Sequence, residues 1–313
     1  VFNDNFAHIY DKCIYFERIN RIYLRGKNIV SFYSSMLRLC EIIIVLLTLI
    51  YIMLWYRNRD CHEPFTTVEN DKYYKTAHTY EAIYDDFYGF IYDDLFYQKE
   101  YYLSICDILM QHMNSVYNNH LCVGIKHGGH INELLKSNIK TVSISRSNAL
   151  INVCNHHYPS NDYKYIPNIE TNPYIFDENT FTHISLIDNE LYYISNLPGF
   201  FYNCSRWLIF KGYFFIQCYH NKTDLKSSFL KIGENSSVRM KTIYSHEFKE
   251  YQDNNSFSLL ERLQYKKKER QNRHTLFFYQ KEYIESVANE FGLKKVDMLP
   301  LSKGEGILVF QKI

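Results

Sequence analysis

Apolar and polar positions alternate along this chain in blocks of changing period, and the period assigns most of the elements. From Ile42 to Tyr56 the sequence reads IIIVLLTLIYIMLWY, with no polar face. A helix apolar all round needs lipid or a large surrounding core, and together with Met36 to Glu41 the low-charge stretch reaches the roughly 20 residues that a bilayer requires. Residues 36–57 are therefore expected to form a single transmembrane helix, with Arg38 snorkelling at one end and Trp55 and Tyr56 suited to the interfacial belt. An aromatic, basic juxtamembrane segment, 1–35, precedes it. A polar linker, 58–76, containing Pro64 follows it. A chain that begins at Val1 also leaves room for an upstream targeting segment.

Residues 77–313 read as one soluble domain. Helical spacing covers Ala77 to Phe96 and Lys99 to Met113, followed by an apolar strand Leu121 to Ile125, a glycine turn and a helix Ile131 to Lys136. The alternation continues with strand Thr141 to Ile144, helix Asn148 to Asn155, strand Thr182 to Ile187, helix Pro198 to Trp207, a turn at Lys211-Gly212 and strand Tyr213 to Tyr219. Strands separated by helices predict a doubly wound, mostly parallel α/β sheet. A helix Gln280 to Phe291 stops at Gly292, and strands Lys294 to Pro300 and Gly306 to Gln311 then form a C-terminal antiparallel hairpin; the sheet is expected to have seven strands, one more than the six the pattern assigns. Between these parts, 221–272 is rich in Ser, Asn and Lys and reads as a polar loop. Its run Lys266-Lys267-Lys268-Glu269-Arg270 with Arg273 suits either a solvated face or a phosphate-contacting patch.

Composition narrows the function classes. With 35 basic against 34 acidic residues the formal net charge is +1, so no overall field gathers nucleic acid, and a nucleic-acid partner is not expected. The 30 Tyr and 22 Phe sit in every segment, as biased codon usage would place them, rather than in one stacking surface. The eight cysteines (Cys13, Cys40, Cys61, Cys106, Cys122, Cys154, Cys204 and Cys218) contain no CxxC pair, which argues against a zinc site or a disulfide framework and for a reducing compartment around the soluble domain. The histidines His127, His130, His156 and His157 lack an acidic companion at helical spacing, so no metal is expected. No Ser-His-Asp elbow, GxSxG or phosphate-cradling GxxxxGKS/T occurs, which removes hydrolases and nucleotidases.

Four stretches, YEAIYDDFYGFIYDDLF (Tyr80 to Phe96), LCVGIKHGGHINELL (Leu121 to Leu135), FTHISLIDNELYYI (Phe181 to Ile194) and FFYNCSRWLIFKGYFFIQCY (Phe200 to Tyr219), resemble class I S-adenosylmethionine-dependent methyltransferase domains, in particular a group encoded by large nucleocytoplasmic DNA viruses. The resemblance covers roughly Thr79 to Ile313 and implies a Rossmann-like methyltransferase fold with S-adenosylmethionine as cofactor if the domain is active. It places the cofactor against Gly124, Gly128, Gly129 and His130 of the first turn, Ser145 after the second strand, Asn168 after the third, and Tyr84 and Tyr92 on a lid. In the family the first strand ends in an acidic residue and a GxGxG turn. Here Val123 stands at the acidic position, and Ile125 and His127 replace the earlier glycines, with Cβ atoms expected to project into cofactor space. Ser145 replaces the carboxylate that takes the ribose hydroxyls, and Asn168 replaces the acidic residue near adenine. Asp188, after the fourth strand, is the catalytic candidate, as a base or a substrate-amine contact, against the simpler role of a helix cap.

Scaffold residues kept and carboxylates lost point to a membrane-anchored, degenerate methyltransferase-like domain serving as a structural or interaction module of a viral membrane, with protein partners in a virion or its assembly site. The competing expectation is an active membrane-tethered methyltransferase that holds its cofactor through backbone groups of 124–130 and through Tyr84 or Tyr92.

Overall fold

The structure is a computed structural model and describes residues 42–51, 66–67, 75–96, 98–113, 117–126, 128–229, 242–250, 256–265, 268–302 and 304–313. The chain divides into two units, Val1–Glu63 and Pro64–Ile313. In the first, residues 42–51 form helix α1 with every side chain exposed. Ten residues rise only about 15 Å, half the hydrocarbon core of a bilayer. Among the described residues no helix is long and apolar enough to cross a membrane. The rest of the expected span 36–57, all of 1–35 and most of 58–76 lie outside the described residues.

The second unit opens with short strands β1 (Thr66–Thr67) and β2 (Lys75–Ala77), then helices α2 (Tyr80–Ile83), α3 (Asp86–Phe96) and α4 (Lys99–Met110). The single helix expected over 77–96 is broken at Tyr84-Asp85. Asp85 ends one helix and starts the next, because its carboxylate accepts the Tyr88 N–H at 3.0 Å and its carbonyl accepts the Gly89 N–H at 2.8 Å. Alternation then follows as expected through β3 (Asn119–Val123), α5 (Gly129–Lys136), β4 (Lys140–Ser145), α6 (Asn148–His157), β6 (Phe181–Leu186), α7 (Leu197–Trp207) and β7 (Leu208–Tyr219), with a further strand, β5 (Asp162–Tyr165), that the pattern did not assign. The turn expected at Lys211-Gly212 is instead a bulge within β7, with Lys211 at φ 62° and the β6–β7 register shifting between Phe181 and His183.

The main sheet has seven strands in the order β11-β12-β7-β6-β3-β4-β5, where β11 (Leu293–Ser302) and β12 (Glu305–Lys312) form the expected hairpin after helix α9 (Lys281–Glu290). Its five central and edge strands β5, β4, β3, β6 and β7 pair in parallel, and β12 runs antiparallel to β7. Strands β3 and β12 are buried at nearly every position because the sheet is covered on both faces, so they lack the two-residue burial alternation of a half-wet strand. Strand order reverses between β3 and β6, which opens a crevice at their carboxyl ends.

The expected polar loop 221–272 is largely ordered structure. It contains helix α8 (Lys222–Ser228) and strands β8 (Thr242–Glu250), β9 (Ser256–Tyr265) and the start of β10 (Lys268–Phe277), which join β1 and β2 in a second sheet of order β1-β10-β9-β8 with β2 also on β10. The polarity that suggested solvent is internal: Glu261, Arg270, Asn272 and His274 are all buried and bond one another or the main body. Arg270 turns inward and donates to Asp85 Oδ2 at 2.7 Å and to the carbonyls of Ala82 and Ile83, while Lys266 and Lys267 of the expected basic run lie outside the described residues.

Candidate functional site

The crevice is built from three turns. Gly124 leaves β3 at φ 79°, its N–H donating to the Ile144 carbonyl at 3.0 Å. Asp188 and Asn189 leave β6 at φ 57° and 62°, a left-handed pair that Asp and Asn tolerate better than most residues. That twist turns the 3-10 segment Glu190–Tyr193 back over β3, and Glu190 lies so close to Gly124 that a Cβ on the glycine would sit 2.3 Å from Glu190 Cγ. The third turn follows β4, where Ser145 is succeeded by Arg146.

Side chains of these turns knot together. Lys126, 1% exposed, places Nζ 3.2 Å from Glu190 Oε2 and donates to Tyr80 Oη at 3.1 Å. The same ammonium lies 4.0 Å above the Tyr84 ring, 4.5 Å above Tyr193 and 4.6 Å above Tyr80. Arg146 donates to Glu190 Oε1 at 2.7 Å and to the Tyr193 carbonyl at 3.1 Å, and stands 3.5 Å from Glu170. Tyr80 Oη donates to the other Glu190 oxygen at 2.9 Å. Burial pulls the Lys126 ammonium below its usual range, with Glu190 opposing. Burial pushes the Glu190 carboxyl up, but Lys126 and Arg146 more than offset this and hold it below the usual carboxylate range.

Beside the knot lies a cavity of about 80 Å³, walled by aromatic rings of α3 and α4, Tyr219 of β7 and residues of the second sheet. Asp188 Oδ1 accepts the Tyr102 hydroxyl at 3.2 Å, whereas Oδ2 accepts no hydrogen bond and His130 Nδ1 stands 3.9 Å off. Burial pushes the Asp188 carboxyl up to about 7, against the pull of Lys126. Glu305 accepts from Tyr101, from Gln217 Nε2 at 2.6 Å and from Ser302 at 2.6 Å. At the second sheet, Glu261 accepts Tyr88 Oη at 2.7 Å and pairs with His274 at 2.8 Å, and His274 Nδ1 meets Tyr193 Oη at 2.7 Å.

Of the residues expected at the site, Gly124, Tyr84, Tyr92 and Asp188 come together here. Gly128 and Gly129 start α5, where a Cβ on Gly128 would meet Cys154 and Tyr158 at 3.2 Å. His130 points below the crevice, its Nε2 3.0 Å from Cys122 Sγ. Cys122, His130 and Asp188 thus have the order of a nucleophilic triad, but the thiol is fully buried and burial raises its pKa, so it offers no reachable thiolate. Ser145 Oγ accepts the Ser147 N–H at 3.1 Å and does not enter the knot. Asn168 is exposed on a turn, and Glu170, two residues on, is the group that reaches Arg146. Ile125 does not project into the crevice as expected but packs in a buried cluster with Cys122, Ile131 and Cys154, while His127 lies outside the described residues. Lys126, Arg146 and Glu190 were missed. The available signal was a lysine inside the glycine turn and an arginine beside the acid-to-Ser replacement.

Among the described residues no group of three or more His, Cys, Asp or Glu converges as a metal site. No protein-family model and no curated protein sequence matches the chain. Solved structures do. An S-adenosylmethionine-dependent methyltransferase from Clostridium acetobutylicum superposes with a TM-score of 0.56 at 15% identity, covering 72% of this chain and 98% of that one. The CcbJ methyltransferase of Streptomyces caelestis gives 0.54 at 12% identity, covering 73% and 97%. The SAM-bound amino pentose methyltransferase CalS10 of Micromonospora echinaspora gives 0.50 at 12% identity, covering 78% and 100%. At such identities the likeness establishes the fold: the chain carries the Rossmann-like methyltransferase fold, a mixed sheet closed by a C-terminal antiparallel hairpin.

Proposed function

We propose that this is a methyltransferase-fold domain that has exchanged cofactor binding for an internal ionic closure, and that it serves as an interaction module carried on a viral membrane by residues 36–57. One observation carries the reading: Glu190, held by Lys126 and Arg146, fills the space against Gly124. The residues at the strand tips do not fit S-adenosylmethionine. A ribose diol calls for a carboxylate after the second strand, and Ser145-Arg146 stands there instead. The glycine turn that lets a ligand approach the backbone is covered by Glu190 and by Lys126 within its ring of tyrosines. Opening this crevice would strand buried charges, each worth several kcal/mol in lost pairing, on the order of what a micromolar ligand returns.

Isothermal titration of the full chain with S-adenosylmethionine and with S-adenosylhomocysteine tests the reading. The expected result is no heat at about 1 mM ligand; a Kd of about 10 µM, some 7 kcal/mol of binding, overturns it in favour of a tethered enzyme.

A further inference from the structure

The crevice lies at the carboxyl ends of β3 and β6, and the opposite end of the sheet carries a second concavity. There β6 and β7 begin, with Phe181 beside Leu208, and the antiparallel β12 ends alongside them. Arg206 near the end of α7, Asn179 just before β6 and Lys312 at the end of β12 line a groove of about 370 Å³ together with Glu178, Tyr202 and Phe291. That volume is at the small end of the roughly 300–1,000 Å³ of ligand sites. None of these residues lines the cavity beside the knot. We propose that this groove binds a small aromatic monocarboxylate, its carboxylate taken by Arg206 and Lys312 and its ring lying against Tyr202 and Phe291.

The charges in this wall are uneven: two cations meet one carboxylate. Glu178 accepts from Arg206 Nη1, and among the described residues it is the one acceptor recorded for that guanidinium. Arg206 Nε is buried with no acceptor, a state that costs free energy until one arrives. Lys312 donates to the Leu208 carbonyl at 2.6 Å and to Asn179 Oδ1 at 3.1 Å, so its recorded partners among the described residues are neutral. Partial burial draws the Lys312 ammonium below the usual lysine range, with Glu178 opposing. A monoanion balances the surplus charge, whereas a phosphate dianion would overshoot it and meet Glu178 in the same wall. The rings define the rest of the ligand. Tyr202 is 48% exposed and packs edge-on against Phe291, their centroids 5.9 Å apart, which leaves an aromatic face open to a third ring beside the two cations. A ligand ammonium would meet two like charges, and a neutral amide would gain no charge-assisted hydrogen bond between opposite ions.

Because the groove and the crevice sit at opposite ends of the sheet, the inference stands whether or not S-adenosylmethionine binds. The full chain is titrated at pH 7 with phenylacetate, phenylacetamide, 2-phenylethylammonium and inorganic phosphate, read by ligand NMR line broadening. Phenylacetate is expected to bind with a Kd on the order of 1 mM, in keeping with about ten heavy atoms, and the other three to give no response. Lys312→Met, which keeps the stem of the side chain, is expected to weaken phenylacetate at least about tenfold, the loss of one charged contact. Glu178→Gln, at a side chain 57% exposed, removes the opposing carboxylate and is expected to tighten binding by about threefold or more. Lys99→Met, on the exposed first turn of α4, leaves it unchanged. Circular dichroism of each variant verifies the fold. Equal binding of phenylacetamide or phosphate, unchanged affinity in folded Lys312→Met, weaker binding in folded Glu178→Gln, or silence toward phenylacetate at about 50 mM, far above the Kd expected of such a ligand, overturns the proposal.

Discussion

Glu190 is the residue on which two buried cations depend, and removing it should cost more than removing either partner. Glu190→Ala leaves Lys126 and Arg146 buried without their shared carboxylate, and a loss of about 3–5 kcal/mol in urea unfolding is expected, whereas Lys126→Met, which keeps the volume, costs less. Asp188 behaves in the opposite sense. Its carboxyl titrates near 7 when folded against 3.8 in the unfolded chain, so the folded state holds its proton more firmly and stability declines as pH climbs from about 4 to about 7. Asp188→Asn is therefore expected to stabilise the protein at pH 8, by at most about 4 kcal/mol, and to change little at pH 4, as followed by thermal unfolding across pH. The resemblance implied that Val123 and Ser145 stand where the family has carboxylates. The ionic cluster beside them was not legible, because Lys126, Arg146 and Glu190 lie 20 and 44 residues apart along the chain and only the fold brings them together.

At the level of elements, four of the five parallel strands and their helices were legible because they are apolar runs or amphipathic stripes bounded by glycine or a polar cap, whereas β5, with the sequence DYKY at the sheet edge, carries no such signal. The second sheet was not. In β9 and β10 the side chains at Glu261, Arg270, Asn272 and His274 are polar yet buried, and a pattern reader equates polar with wet. The same residues latch α2 and α3 to that sheet: Arg270 caps the end of α2 and pairs with Asp85, while Tyr88 reaches Glu261. Arg270→Met is expected to destabilise the domain by about 3–5 kcal/mol by leaving Asp85 and two helix-end carbonyls without their donor. Hydrogen exchange should then quicken across 80–96 before it does in β3 or β6.

At the level of the whole molecule, the described part of the first unit is helix α1, all of whose side chains are exposed. Ile42 to Leu47 are 46–62% exposed, a contiguous patch that soluble proteins rarely leave uncovered. With residues 36–57 in a bilayer, the full chain resists alkaline carbonate extraction, and Leu46→Arg with Leu47→Arg, at about 2.5–3.5 kcal/mol each near the membrane centre, moves it to the soluble fraction. Recovery of the unaltered chain in the supernatant contradicts the anchor. The closure over Gly124 has a consequence for the history of the protein. Two buried cations share one carboxylate, so each single reversal toward an open crevice passes through an intermediate with an orphaned charge inside. On the proposed reading this closure works as a ratchet, and an open crevice is regained only by changing several of these residues together.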